Sequence, residues 1–161
     1  MGSAAASTGI VLRDYRTSDL EAIFRLDEVC FAAQFRFDRE SMLAFAEARN
    51  AIVVVAEGAG QEIVGFVIAH VERAAAGRRA YVVTLDVAEN HRRIGLAGRL
   101  IREVEARAAA AGARWMELHV FTGNDGAIRF YERLGYVRVG VQRRFYGATG
   151  LDAFTYRKLS I

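Results

Sequence analysis

The sequence predicts a mixed α/β domain, with a mostly antiparallel central sheet, one parallel strand pair and helices on both faces. Three observations carry this. Two Val- and Ile-rich runs, AIVVVAE and EIVGFVIAHVE, are separated only by GAGQ and read as a hairpin. Residues 81–121 form a strand–helix–strand unit, whose crossover makes its two strands parallel. Two further strands, YVRVGVQ and DAFTYRKL, close the chain as a second antiparallel pair joined through RRFYGATGL.

Each element has its own local signal. IVLRDY at 10–15 is a short first strand. TSDLEAIFRLDEVCF follows as a helix, with Ser18 and Glu21 in capping-box positions and Leu20, Ile23, Phe24, Asp27 and Cys30 at helical spacing. AAQFRF connects to a second helix over DRESMLAFAEARN, which Asp38 can cap. After the central hairpin, RAAAGRR reads as a loop and YVVTLDVA as the next strand. Residues 94–111 carry Leu96, Leu100, Ile101, Val104 and Ala108 on one helical face, stopped by Gly112. WMELHVF is a strand, and Asn124 opens a short helix, DGAIRFYERL, closed by Gly135.

Composition bounds the function. The 161 residues suit one domain, and 53% hydrophobic with 25% charged residues favours a packed core over disorder. No apolar run approaches the ~18 residues of a membrane span. The first nine residues, MGSAAASTG, lack the pattern of a signal peptide and read as a flexible leader to a single domain over 10–161. Cys30 is the only cysteine, so no intrachain disulfide forms. These features fit a cytoplasmic protein. The net charge of +3 is carried almost wholly by arginine, since Lys158 is the only lysine. The arginines are scattered and not interleaved with stacking aromatics, which argues against nucleic acid as the partner. No His/Cys/Asp/Glu group has metal-ligand spacing.

HRRIGLAGRL, at 91–100, lies between a strand and a helix. Amides at a helix N-terminus have no partner within the helix and, with the helix dipole, attract anions. Small residues let a phosphate approach the backbone. The spacing fits neither the nucleotide-triphosphate loop nor the dinucleotide fingerprint. On these residues alone, a phosphate cradle and an empty tight turn both remain open.

Several segments in order resemble one family. Arg92-Arg93-Ile94-Gly95-Leu96-Ala97 matches the Q/R-x-x-G-x-G/A motif of the GCN5-related N-acetyltransferases, and stands between a strand and a helix as it does there. LDV at 85–87 resembles that strand's cofactor-facing segment, and LHVFTGNDGAIRFYERLGY resembles the second family signature. The opening LRDYRTSDLEAIFRLDEVCF is similar to a family start, so the resemblance covers residues 10 to 160. Within the family, the chain most resembles enzymes that acetylate protein N-termini, among them bacterial ribosomal-protein acetyltransferases. It departs from them at AEN and FAAQF, where members often carry proline.

The resemblance implies a sheet whose parallel pair splays at a bulge, and transfer of acetyl from acetyl-CoA directly to an amine in a ternary complex. It implies a pyrophosphate on the amides from Arg93 to Gly98 after Arg92, hence on Arg93, Ile94, Gly95, Leu96, Ala97 and Gly98. It implies a pantetheine arm along Leu85 to Val87 and beside Asn124. Asn124 is equally a plain helix cap. Tyr131 matches the tyrosine that protonates the departing thiolate, and could alternatively be a packed aromatic beside Ile128, Phe130 and Leu134. His119, on the strand beside the expected slot, is the candidate general base, because imidazole titrates near neutrality; a histidine satisfied by its neighbours is the alternative. His91 and Asp86 are lesser candidates for the base, and His70 reads as an ordinary strand residue. Tyr146 and the Phe35–Phe37 segment match regions that grip the substrate N-terminus. Cys30 reads as a small core residue.

The expected acceptor is therefore a protein or peptide N-terminus. Acetylation of a small amine (an aminoglycoside, polyamine or amino acid) and a non-catalytic acyl-CoA-binding module are the rival readings. The expected assembly is a monomer or homodimer.

Overall fold

The computed structural model describes residues 9–159 and 161. A seven-stranded sheet runs in the order β1-β2-β3-β4-β5-β7-β6. Its strands are β1 (Val11–Asp14), β2 (Ala51–Glu57), β3 (Ile63–Ala74), β4 (Gly77–Val87), β5 (Ala113–Phe121), β6 (Val137–Gln142) and β7 (Ala153–Leu159). Every neighbouring pair is antiparallel except β4 with β5. The helices are α1 (Leu20–Cys30), α2 (Arg39–Ala46), α3 (Leu96–Ala110) and α4 (Asp125–Arg133). Of the expected leader, residues 1–8 lie outside the described residues.

The central strands explain the two layers. In β2, Val53 and Val55 join a core with Ile23 of α1, Met42 of α2, Phe66 and Ile68. The alternate residues Val54 and Ala56 join the other core, with Leu100, Ile101 and Val104 of α3 and Tyr131 of α4. Successive strand side chains point to opposite faces, so an unbroken apolar run is what a sheet covered on both sides requires.

Three sequence expectations are corrected. RAAAGRR is not a loop: β3 continues to Ala74 and β4 begins at Gly77, with Arg73 opposite Arg78 and Ala74 opposite Gly77. Gly77, at φ 130, makes the abrupt reversal possible, and the exposed strand ends carry no apolar pattern to reveal them. Second, the Ser18–Glu21 pair does not cap the first helix. A 3-10 turn over Thr17–Asp19 precedes α1, and the Asp19 carboxylate accepts from the Arg16 amide at 2.7 Å and from Arg13 at 2.8 and 2.9 Å. Two charge-assisted bonds to Arg13 on β1 outweigh what a serine cap offers. Third, α2 stops at Ala46 rather than Asn50, whose side-chain amide instead donates to the Val71 carbonyl. Asp38 does cap α2, accepting from the Ser41 amide at 2.7 Å.

The feature that opens the sheet lies in β4. Ile68 pairs with Thr84 but Ala69 pairs with Val82, leaving Val83 as an extra residue. Ala80 and Val82 face the α3 core, and after this bulge Leu85 and Val87 face it too. Pairing of β4 with β5 starts at Arg78 opposite Ala113 and ends at Tyr81 opposite Glu117. Beyond that point β4 stays with β3 while β5 continues along β7 to Phe121. The parallel pair therefore parts, as a bulge that re-aims a strand allows.

Candidate active site

The parted strands place two sets of side chains at the ends of one opening. The first set surrounds the β4–α3 turn. A short 3-10 turn, Glu89–His91, leads to Arg92, after which Arg93 at φ 63 and Gly95 at φ 82 are both left-handed. Such alternation turns successive amides to one side and makes an anion-binding concavity. Gly95 is the N-cap of α3 without a side-chain cap, and no acidic residue stands in the first turn. Among the described residues, neither a side-chain cap nor a first-turn carboxylate answers these amide dipoles. These features, with the unpaired β5-facing edge of β4, fit an extended pyrophosphate-bearing substrate.

The individual side chains divide the labour. Leu96 is buried in the core, while Ile94 and Ala97 pack partly against it, so these residues can offer only backbone to a ligand. Gly98 is buried, and a Cβ there would meet the Arg102 guanidinium at 3.3 Å. Arg92 is turned back: its Nε donates to the Val87 carbonyl at 3.0 Å, fixing the end of β4. Cys30 Sγ donates to the same carbonyl at 3.4 Å. Burial pushes that thiol up, which suits a packed cysteine and not a nucleophile. Asn124 caps α4, accepting from the Ala127 amide through Oδ1 at 3.1 Å, which leaves its side-chain NH2 available. Tyr131 projects from the inner face of α4, 8% exposed, with ring centroids 4.9 Å from Phe130 and 5.5 Å from Tyr136. Burial holds its phenol above the usual range, so it stays protonated at neutral pH.

The second set centres on His119 of β5. Its Nδ1 lies 2.7 Å from the Tyr81 hydroxyl of β4, at the last pairing position before the strands part. Phe145 stacks on the imidazole, centroids 4.3 Å apart and planes 23° apart. Desolvation lowers the His119 pKa; the Glu117 charge opposes this and Arg79 adds to it. The imidazole is therefore neutral at physiological pH and able to accept a proton. Glu117 itself is pinned beneath the site by Arg79 at 2.5 Å and Arg157 at 3.4 Å. Around this pair runs an aromatic rim: Tyr146 stands edge-on to Phe145 at 4.9 Å and to Phe35 at 4.8 Å, and Phe35 lies 5.1 Å from Phe121.

Of the residues singled out by sequence, His119, Phe35 and Tyr146 thus share one rim, and the 92–98 turn lies at the end of β4. Phe37 does not join them. It packs on Phe45 at 4.9 Å in the α1–α2 core, because the two-residue step from Phe35 crosses a bend instead of following a strand. His70 bonds the Phe45 carbonyl and His91 bonds Asn90, so neither reaches His119. Sequence reading missed Tyr81, Phe121 and Phe145. Tyr81 could have been found only through the β4–β5 register.

This architecture is that of an α/β acyltransferase fold opened between two parallel strands. The profile of the Acetyltransferase (GNAT) family matches residues 20–136. The chain belongs to that family. It is 34% identical over 109 residues to an Arabidopsis thaliana protein named N-terminal acetyltransferase A complex catalytic subunit NAA10, covering 66% of this chain and 56% of that one. It is 36% identical over 77 residues to N-alpha-acetyltransferase RimI of Mycobacterium tuberculosis, covering 48% of this chain and 47% of the relative. The chain spans about half the length of these two relatives. In structure it is similar to Arabidopsis thaliana NAA60 in complex with a bisubstrate analogue, with a TM-score of 0.81 and 25% identity over 93% of this chain and 97% of that one.

Proposed function

We propose that this protein transfers the acetyl group of acetyl-CoA to the N-terminal α-amino group of a protein or peptide, by direct transfer in a ternary complex. The observation that carries this reading is the His119–Tyr81 pair, set where β4 and β5 part and rimmed by Phe35, Phe121, Phe145 and Tyr146.

Acetyl-CoA supplies an activated thioester. The Arg93–Gly98 amides hold its pyrophosphate, and the free β4 edge at Leu85 and Val87 takes the pantetheine as an added strand would. Arg92 keeps that edge in place through the Val87 carbonyl, and the Asn124 NH2 faces the same arm. A peptide α-amine has a pKa near ~7.7–8.0, far below the ~10.4 of lysine. A neutral imidazole suffices to take its proton, directly or through one water. With Nδ1–H donating to the Tyr81 oxygen, His119 Nε2 keeps the lone pair that does this. Nitrogen bonds to the acetyl carbon as the carbon–sulfur bond breaks, and Tyr131 gives its proton to the leaving sulfur. The aromatic rim excludes water and grips the first residues of the peptide.

We place this activity in the cytoplasm, carried out by a monomer or homodimer. Among the described residues no helix is long and apolar enough to cross a membrane.

A panel of N-terminal peptides and small amines, incubated with acetyl-CoA while free thiol is followed, tests the reading. Thiol release with peptides is expected. Release only with polyamines, aminoglycosides or amino acids would move the substrate class. Tight coenzyme A binding without turnover would make the protein an acyl-CoA sensor.

A further inference from the structure

Two carboxyl groups are buried against each other between α1 and the splayed half of β4. Asp27 of α1 is 0% exposed and Asp86, between Leu85 and Val87, is 1% exposed. Each has one oxygen with a donor: Asp27 Oδ2 accepts from the Phe37 amide at 2.9 Å, and Asp86 Oδ1 from the Thr84 hydroxyl at 2.6 Å. Their remaining oxygens, Asp27 Oδ1 and Asp86 Oδ2, are buried without any donor. The two carboxyls act on each other's titration, and α1 meets β4 beside them through the Cys30 Sγ contact with the Val87 carbonyl at 3.4 Å. Two ionised carboxylates only accept hydrogen bonds, and burying both charges together is costly. One retained proton satisfies both leftover oxygens at once.

Burial favours that state against the pull of two cations. Arg36 from the loop before α2 and Arg92 from the phosphate turn are the cations facing the pair, while Glu28 and Cys30 of α1 and Tyr131 of α4 complete the titratable neighbours. Burial raises both carboxyls, and Asp86 well above the ordinary range. A single proton between them relieves the burial of two charges, and Arg36 eases the charge that remains.

What the pair connects gives it a role. Through the Phe37 amide, Asp27 anchors the loop that carries Phe35 into the aromatic rim. Asp86 lies in the cofactor-facing segment, next to the Val87 carbonyl that Arg92 and Cys30 hold. We propose that Asp27 and Asp86 share one proton and act as positioning residues, latching the Phe35 loop to the splayed end of β4 so that acceptor rim and cofactor strand keep one register. The latching role rests on the transferase reading above; the shared proton does not.

Carbon-13 NMR of carboxyl-labelled aspartate tests the proton in the wild-type protein, with assignment by Asp27→Asn and Asp86→Asn. One buried carboxyl is expected to stay at the protonated shift through neutral pH. Both carboxyls ionised at pH 7 would overturn the proposal even if no amine were ever found to react. Steady-state kinetics test the latch. Asp86→Asn, which keeps a donor toward Asp27, should leave the peptide KM within about twofold, whereas Asp86→Val should raise it about tenfold with kcat changed less. Thr84→Val, a milder change, should raise the same KM about threefold if Asp86→Val does not fold. A purely structural role would lower the active fraction, hence kcat, and leave KM alone; that result would reject the latch.

Discussion

Replacing Gly95 tests the proposed phosphate turn apart from the rest of the fold. Gly95 sits at φ 82 and ψ 7 as the N-cap of α3, and a Cβ there would meet nothing within 4 Å. The whole penalty of Gly95→Ala is thus backbone strain, roughly 1–2 kcal/mol for an L-residue held left-handed. If the turn keeps its shape, that strain appears as lost stability, about 2–8 °C in Tm for a domain of this size. If the turn relaxes to an ordinary φ, the strain disappears but the amides of Arg93 to Gly98 lose their common aim. Coenzyme A affinity then falls by roughly five- to thirtyfold, the equivalent of the same free energy. Either way the two effects share one source. A larger residue such as valine, β-branched and more strained, should push the balance toward lost affinity. Isothermal titration with coenzyme A, alongside thermal unfolding with and without the ligand, reads both. Gly140→Ala is the control, because Gly140 also has open space but no positive φ. Gly95→Val binding coenzyme A as tightly as wild type would refute the phosphate-cradle assignment.

Four further outcomes are expected. Tyr131→Phe should lower kcat by roughly 10²–10⁴-fold, the range of a lost general acid, with little change in coenzyme A affinity; wild-type turnover would remove Tyr131 from the chemistry. His119→Ala should lose most rate near neutrality. In the wild type the acidic limb of kcat/KM falls below the ordinary histidine range, because burial lowers the His119 pKa, and in the variant it should move up to the amine's own ~7.7–8.0. An unchanged pH–rate profile would place the base elsewhere. Phe145→Ala removes the ring stacked on His119 and should raise peptide KM several-fold while acetyl-CoA KM holds, on the scale of ~0.5–1.5 kcal/mol for an aromatic pair; equal shifts in both constants would argue against an acceptor rim. Asp19 is held below the ordinary carboxylate range chiefly by Arg13. Its stabilisation is therefore present above the unfolded pKa of ~3.9 and fades as pH falls through the folded value. Asp19→Asn should lower Tm at pH 7 and flatten its decline in acid, and identical acid denaturation curves would contradict this.

The sequence exposed those parts of the protein whose signal is local. Asp38, Asn124, Gly112 and Gly135 mark helix ends that the structure reproduces. The doubly covered sheet was visible in the unbroken run of valines in β2, and the parallel pair in the crossover from β4 to β5. What stayed hidden depends on register between distant strands. Tyr81 looks like any strand aromatic until the β4–β5 register, with Tyr81 opposite Glu117, brings its hydroxyl to His119. Phe145 lies in a polar, glycine-containing connection, and only the turn through Arg144 at φ 53 and the Arg144 amide's bond to Asp152 aims that segment at the imidazole. The Ser18 cap failed for a related reason: a buried ion pair between Asp19 and Arg13 on β1, six residues away, overrode the local preference. Asp86 stands in the sequence as a lesser candidate for the base, but its burial near Asp27 arises from how α1 packs on β4. No spacing within either segment shows it.

In the mechanism proposed above, acetyl moves to a peptide α-amine in the opening between β4 and β5. The most direct measurement is tandem mass spectrometry of the product formed from acetyl-CoA and peptides that carry both a free N-terminus and an internal lysine. One acetyl group is expected, on the first nitrogen, matched mole for mole by released thiol and lost in His119→Ala near neutral pH. Acetyl found on lysine side chains, or no product from a protein that binds coenzyme A tightly, would contradict it.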